Sequence, residues 1–356
     1  MPKRRRTETG VGVDEEGTDG TNSSEEIKRS PEFWFHDGSV VLQADKTQFQ
    51  VHKAVLERHS TVFKDVFAMP HPEGEPTVDG RAILHVQDSA EEIQYMLSAL
   101  YDHSYNSREP ISFDIVKALI KLGTKYDIGS LRKEGVSRLR MEFPSTLSEY
   151  EEKHIPSFEP PKLWKAIKYR PGLLFEIANF AYEHDLTEVL PTCYFVCTTK
   201  HKDELLDGIL VDEKTGRRAE LSPTVQRICL AGQEKLLERY NSAFSWVDKF
   251  DEDNLDEDSR EYCKNPEKCL TLAKPLISAL WRPRQVLRYL LYPWPKLRYS
   301  LDWHHNVEFH NCCASCLKEV QGSVYRSTMK TWNELPSYFG LASWKDLRKS
   351  TLLAES

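Results

Sequence analysis

The chain has 356 residues, of which 40% are hydrophobic and 29% charged, and it carries a formal net charge of −7. This composition is typical of a soluble globular protein with room for two domains, and its acidity argues against a general affinity for nucleic acid. No apolar run approaches the roughly 20 residues that span a bilayer, and the charged amino terminus is unlike a secretory signal peptide.

The same features of the sequence predict the state of the cysteines and of the amino-terminal segment. We expect a cytoplasmic or nuclear protein without membrane partners, in which the eight cysteines are free thiols or metal ligands rather than disulfides. Residues 1–31 contain almost no large apolar side chains, which predicts a disordered tail. The basic cluster from Lys3 to Arg6 is either a short nuclear import signal or a solvated charged end.

Residues 32–143 show alternating strand and helix patterns. Alternation over 40–51 predicts a hairpin, followed by a helix that is interrupted at Ser60. The Pro- and Gly-rich segment 69–80 predicts a loop, and AILHV at 82–86 a short strand. Three amphipathic helices follow, at about 89–101, 112–125 and 129–143.

This order of elements has a counterpart in a known family. The stretches DGSVVLQADKTQFQVHKAVLERHSTVFKDVFAMP and ILHVQDSAEEIQYMLSALYD closely resemble a BTB/POZ domain over about 32–142. The likeness rests on Asp37, the Phe49-x-Val51-His52-Lys53-x-x-Leu56 stretch, Ser60, Phe63 and the strand before the 89–101 helix. It implies an α+β fold, with a small sheet capped by helices, that forms homodimers and recruits a protein partner.

Many members of this family are substrate adaptors of a cullin ubiquitin ligase, so the resemblance also implies this alternative function. Cullin-binding members usually carry an apolar-x-Glu motif in the loop after the helix pair. Here Met69 has His71 two positions on instead of Glu, and the loop is rich in proline. This departure counts against the adaptor role.

Residues 144–356 predict a second, mostly α-helical domain. EIANFAYEHDLTEVLPTCYFVC (176–197) and KTWNELPSYFGLASWKDL (330–347) resemble the carboxyl-terminal region of fungal BTB proteins, in which a W-x-x-LP-x-x-FGL-x-x-W closing stretch recurs. We call residues 332–344 the closing stretch. No biochemical role follows from this likeness.

The best candidate for chemistry is a group of cysteines in the second domain. Cys263 and Cys269 form one pair, and Cys312, Cys313 and Cys316 follow more than forty residues later. Two thiolates of a Cys-x2-Cys unit can bind one metal, and a second pair completes a tetrahedral, structural zinc site with Cys263, Cys269, Cys313 and Cys316. The alternative is a set of half-buried thiols that pack as small hydrophobes. The neighbouring Cys312 makes the ligand set ambiguous, and three histidines offer further replacements: His304, His305 and His310.

The remaining motifs favour structural roles. Cys193 and Cys197, four residues apart, and Cys229 predict core thiols. The acidic segment 248–258 lacks the glycine that a calcium loop needs at its sixth position, which favours a solvated linker. The chain has no phosphate-binding glycine loop and no G-x-S-x-G motif, and we predict that it is not an enzyme.

Residues 281–299 interleave basic and aromatic side chains, which is one signature of nucleic-acid binding. Leucines in the same stretch favour a helix that faces the core, with the basic side chains lying over it. The basic residues can also pair with the acidic linker. We therefore favour protein partners over nucleic acid, and a DNA-associated regulator remains an alternative. The side chains are Trp281, Arg282, Arg284, Arg288, Tyr289, Tyr292, Trp294, Lys296, Arg298 and Tyr299.

His52 lies where the hairpin ends and a helix begins. No second metal ligand occupies the positions three or four residues on, which are Val55 and Leu56. The resemblance places a histidine at this point of the fold, where its ring can hydrogen-bond locally. We interpret His52 as part of the scaffold.

Overall fold

The chain separates into two compact units in the computed structural model. The first contains a sheet, and the second is helical apart from one short hairpin. The structure describes residues 26–70, 76–102, 109–154, 164–250, 263–280 and 286–355. The basic cluster from Lys3 to Arg6, His71 and most of the acidic linker lie outside these ranges. No helix within them is long and apolar enough to cross a membrane.

Five strands form the sheet of the first unit, in the order β1-β3-β2-β5-β4. β2 pairs antiparallel with β3, as does β4 with β5, whereas β1 with β3 and β2 with β5 run parallel. The strands are β1 Lys28–Trp34, β2 Val40–Ala44, β3 Thr47–Val51, β4 Thr77–Val78 and β5 Arg81–Val86.

The β2–β3 hairpin confirms the predicted one. Asp45 adopts a φ of 48° in the tight turn, and Leu42 pairs with Phe49, both of them buried. β1 begins at Lys28, before the predicted domain boundary at residue 32. Phe33 is buried and its backbone N–H donates to the Ser30 hydroxyl, so this short stretch is anchored although it contains few large apolar side chains.

Helices dominate the second unit, as predicted for most of the chain after the sheet. The helices of the amino-terminal part are α1 Lys53–His59, α2 Thr61–Ala68, α3 Ala90–Tyr101, α4 Phe113–Lys125 and α5 Gly129–Glu142. They are followed by α6 Leu147–His154, α7 Leu173–Glu183, α8 Leu190–Thr198, α9 Lys202–Asp207, α10 Pro223–Ala243, α11 Pro266–Leu270, α12 Ala273–Leu280, α13 Trp294–His305, α14 Ala314–Tyr338 and α15 Trp344–Glu355.

Ser60 explains the predicted interruption between α1 and α2. Its backbone is extended, and its hydroxyl accepts a hydrogen bond from the Phe63 backbone N–H (2.9 Å), which caps α2. The same hydroxyl donates to the Tyr126 carbonyl after α4 (2.5 Å). The Phe63 and Tyr126 rings stack with centroids 4.6 Å apart, so the break in the helix is also a point of tertiary contact.

Glu142 ties the end of α5 to the segment that leads into the carboxyl-terminal helices. Its carboxylate accepts hydrogen bonds from the backbone N–H groups of Lys165, Ala166 and Ile167 at 2.9, 2.6 and 3.1 Å. Lys153 of α6 forms an ion pair with the same carboxylate, and the two side chains are 8% and 0% exposed. This buried charge is therefore fully compensated.

The closing stretch packs in the core of the carboxyl-terminal helices. Trp332 and Trp344 stack with centroids 5.2 Å apart, and the Trp344 indole N–H donates to the Trp332 carbonyl (2.7 Å). Phe339 lies so close to α10 that a β-carbon on Gly232 would be 2.3 Å from its ring. The closing stretch thus joins α10, α14 and α15 through close packing.

A two-stranded hairpin that the sequence pattern does not predict, β6 Ile209–Asp212 and β7 Arg217–Ala219, interrupts the helices. Its turn depends on the Asp212 carboxylate, which accepts from the Lys214 N–H and the Thr215 hydroxyl at 2.9 and 2.8 Å. Gly216 completes the turn with a φ of 68°. Strands of three and four residues are too short to show an alternating pattern.

We expect Glu142→Ala to lower the free energy of unfolding by about 3–5 kcal/mol, because it leaves the buried Lys153 ammonium without its counter-charge. Urea unfolding followed by tryptophan fluorescence measures the change. Glu152→Ala, at an exposed position of α6, is the matched control and should stay within about 0.5 kcal/mol of the wild type. Equal stability of the two variants would contradict this account of Glu142.

Candidate functional site

Four cysteines converge in the carboxyl-terminal helices. The Sγ atoms of Cys263, Cys269, Cys313 and Cys316 all lie within 4.8 Å of one another. The Cys263 and Cys313 sulfurs are 3.9 Å apart, close to the separation of about 3.8 Å that two sulfurs show around tetrahedral zinc. Among the described residues, this is the only group of three or more candidate ligands that meets in this way. We call it the cysteine cluster.

Two helix starts bring these thiols together. Cys263 precedes α11, which is capped by the Asn265 side chain, and Cys269 lies inside this short helix. Cys313 directly precedes α14, and Cys316 lies in its first turn. The Cys313 backbone N–H donates to the Cys269 sulfur at 3.3 Å, so the two segments are in direct contact.

The thiols influence one another electrostatically. Burial acts to raise the pKa of Cys313, but hydrogen bonds from the backbone N–H groups of Cys316 and Lys264, followed by those with the Cys316 and Cys269 side chains, lower this pKa to about 6. Burial, followed by the neighbouring thiols, raises the pKa of Cys269 and of Cys316. One negative sulfur thus suppresses ionisation of the others, and a bound cation would remove this penalty.

The structure separates the four clustered thiols from the alternative ligands that the sequence offered. Cys312 is half-buried and contacts Cys269, but its sulfur lies outside the mutually close group. Burial, followed by the Cys269 charge, raises the pKa of Cys312 to about 12. The His305 Nε2 lies 3.4 Å from the Tyr289 hydroxyl, and His310 is exposed. The side chain of His304 is outside the described set.

The donor set fits a metal that prefers thiolates. Four sulfurs in one cluster correspond to the tetrahedral Cys₄ arrangement of structural zinc, in which no coordination position remains for a substrate. Cys269 is 2% exposed, and the other three sulfur residues are partly exposed, so the cluster lies at the edge of the core. The arrangement is suited to joining α11 and α14 rather than to catalysis.

The other three cysteines are core residues, as predicted. Cys193, Cys197 and Cys229 are each 0% exposed, and Cys197 lies between the other two. Burial raises the pKa of Cys197, and a hydrogen bond with Cys197, followed by burial, raises that of Cys229. These thiols behave as small apolar side chains.

His52 occupies the structural position that the sequence indicated. Its Nε2 lies 3.3 Å from the Asp37 carboxylate, and its ring is tilted against Phe35 with centroids 5.2 Å apart. The next residue, Lys53, begins α1, and its backbone N–H donates to the Ser39 hydroxyl at 2.9 Å. Both contacts fix the turn from strand to helix.

Comparison with known proteins agrees with the element order of the amino-terminal part. Residues 34–140 match the family model of the BTB/POZ domain. The chain contains a BTB/POZ domain. Domains of this family are generally protein–protein interaction modules. No curated protein matches the chain.

The BTB/POZ domain ends at a polar site that sequence reasoning missed. Arg138 is 4% exposed and donates to the carbonyls of Glu109 and Ala166, at 2.6 and 3.2 Å, and to the Glu134 carboxylate. It lies one turn before Glu142 on α5. The sequence signal for this site is the segment RLRME (138–142), in which Arg138 and Glu142 lie four residues apart and so share one face of the helix. Charged side chains on the buried face of an amphipathic helix need specific partners.

We expect alkylation to separate the two sets of cysteines. In native protein treated with a chelator, iodoacetamide should label the partly exposed cluster residues Cys263 and Cys313. The core thiols Cys193, Cys197 and Cys229 should react only after denaturation, because they are buried and the pKa values of two of them are raised. Peptide mass mapping reads out the sites, and equal labelling of both sets would contradict the assignment.

Proposed function

We propose that this protein is a non-enzymatic interaction protein that self-associates through its BTB/POZ domain and recruits a protein partner. The family match over 34–140 carries this proposal, because it assigns the ordered amino-terminal elements to a class of interaction modules. The carboxyl-terminal helices then supply a second surface.

The sheet offers a surface for self-association. β1 forms one edge of the sheet, and an edge strand presents backbone N–H and C=O groups that can pair with another chain. Ile27, directly before β1, is 50% exposed, so an apolar side chain lies beside this edge. A second copy would cover both features at once.

The full-length chain should therefore elute as a homodimer, with twice the monomer mass of 41.3 kDa by light scattering. Ile27→Asp should shift the equilibrium toward the monomer by about tenfold or more, because it places a charge at the proposed contact. Leu237→Asp, at a 45% exposed position of α10, is the matched control and should leave the dimer intact. A monomer at all micromolar concentrations would remove the self-association proposal.

The cullin adaptor role is the less favoured alternative. Met69 directly follows α2 and is 61% exposed, so an apolar side chain is available at the point where cullin-binding members of the family have one. The residue two positions on is His71, outside the described set, and the glutamate of that motif is missing. Capture of the intact chain by a cullin amino-terminal domain is the observation that would favour the adaptor role over the general one.

The proposal includes a structural zinc ion bound by Cys263, Cys269, Cys313 and Cys316. The mutual proximity of the four sulfurs supports it, together with the raised pKa values that a cation would reverse. Zinc would join the start of α14 to α11 and so stabilise the partner-binding surface of the carboxyl-terminal domain. It would have no catalytic role, because all four positions are filled by protein.

Purified protein should contain about one zinc ion per chain by elemental analysis, since one tetrahedral Cys₄ site binds one metal. Cys316→Ser should lose this zinc and lower the thermal unfolding temperature. Cys312→Ser is the matched control, because it changes an adjacent thiol outside the group, and it should keep the metal. Loss of zinc from Cys312→Ser but not from Cys316→Ser would show that the ligand set is wrong.

A further inference from the structure

Helix α13 and the 3₁₀ helix before it, Val286–Leu291, have two distinct faces. Leu297 and Leu301 are completely buried, and the leucines of the 3₁₀ helix are at most 4% exposed. The predicted core-facing side is thus confirmed for the described part of 281–299. On α13, Lys296 and Tyr299 lie on the opposite side, together with Trp303, whereas Trp294 packs against the buried Phe309.

Four side chains of this stretch form a row together with Trp303. Lys296, Tyr299 and Trp303 follow one another at intervals of three and four residues, which places them on one side of α13, and Tyr292 lies two residues before this helix begins. The Lys296 Nζ lies 4.4 Å from the Tyr292 ring, and the Arg288 side chain hydrogen-bonds the Tyr292 hydroxyl. We call Arg288 and these four residues the cation–aromatic row.

The outer half of the row is an exposed aromatic platform. The Tyr299 and Trp303 rings stack with centroids 6.0 Å apart and an angle of 6° between their planes. Trp303 is 71% exposed and Tyr299 is 44% exposed. A large indole held parallel to a phenol in solvent offers a flat apolar surface to a further planar group.

The inner half of the row concentrates positive charge. Burial, followed by the charge of Arg288, lowers the pKa of Lys296 to about 8. The two cations therefore lie close enough to disfavour each other, and an anion between them would relieve the repulsion. Arg298 lies on the neighbouring side of α13, where it pairs with Asp302 at 3.3 Å.

We propose that the cation–aromatic row binds single-stranded nucleic acid, with bases stacked on Tyr299 and Trp303 and phosphates at Arg288 and Lys296. Cations beside exposed, parallel aromatic rings are the combination that recognises single strands without reading their sequence. Lys296 and Trp303 are separated by roughly 10 Å along the helix, which is room for more than one nucleotide. The site is local, so it does not require the general attraction that the net charge of −7 argues against.

The test uses the full-length chain and a fluorescein-labelled oligothymidylate of about 15 nucleotides, with anisotropy recorded at low salt. Trp303→Ala should weaken binding about tenfold, since stacking of one base contributes about 1–3 kcal/mol. Tyr325→Ala, at a 66% exposed position of α14 outside the row, is the matched control and should bind as the wild type does. Lys296→Gln and Arg288→Gln should each weaken binding and reduce its salt dependence.

The proposal would be overturned by no binding of the wild type, or by equal binding of wild type and Trp303→Ala with unchanged circular dichroism. Equal affinity for duplex DNA would also overturn it, because the stacked bases of a duplex cannot reach the platform. Complete competition by thymidine monophosphate would assign the row to a free nucleotide instead. Trp303-dependent binding to vesicles of phosphatidylcholine and phosphatidylserine, without binding to the oligonucleotide, would assign it to a membrane surface. This test does not depend on self-association or on zinc.

Discussion

The buried Glu142 carboxylate is the constraint on which the arrangement of the second unit depends. A carboxylate with 0% exposure is tolerated only when its charge and its lone pairs are satisfied, and here three successive backbone N–H groups and Lys153 do so. The same segment forms a parallel bridge between Ile111 and Ile167. These contacts connect the end of the BTB/POZ domain to the segment that leads into the helices that follow it.

Helix α14 is likewise held in place by specific contacts, which are spread along its whole length. Its first turn lies in the cysteine cluster, and its last turns carry Trp332 and Phe339 into the closing stretch. Between these ends, the Arg239 guanidinium of α10 donates to the Ser327 carbonyl and to the Thr331 hydroxyl, both at 3.1 Å. A 25-residue helix is thus held at both ends and at its centre, and in the proposed zinc-bound form its first turn would be the most strongly fixed.

Local patterns predicted the elements whose cause is local. The Asp45 turn, the Ser60 cap and the spacing of Cys313 and Cys316 are determined by neighbouring residues, so the hairpin, the helix break and the clustered pair were predictable. The role of Glu142 was not, because its partners lie 11 to 25 residues away with no periodic relation to it. The choice between Cys312 and Cys313 depends on which sulfur the tertiary packing turns toward Cys263, and two adjacent residues look alike in sequence.

Helix α13 shows why two interpretations of the sequence 281–299 need not exclude each other. In the sequence, buried leucines and interleaved cations with aromatics compete as explanations of 281–299. A period of 3.6 residues separates them in space: Leu297 and Leu301 face the core, whereas Lys296, Tyr299 and Trp303 share the other side. The leucines fix the orientation of the helix, which directs Tyr299 and Trp303 toward solvent, where their rings stack on each other. The buried leucines therefore orient the proposed binding face, and the contact between the two rings reduces the conformational freedom that is lost when a base stacks on them.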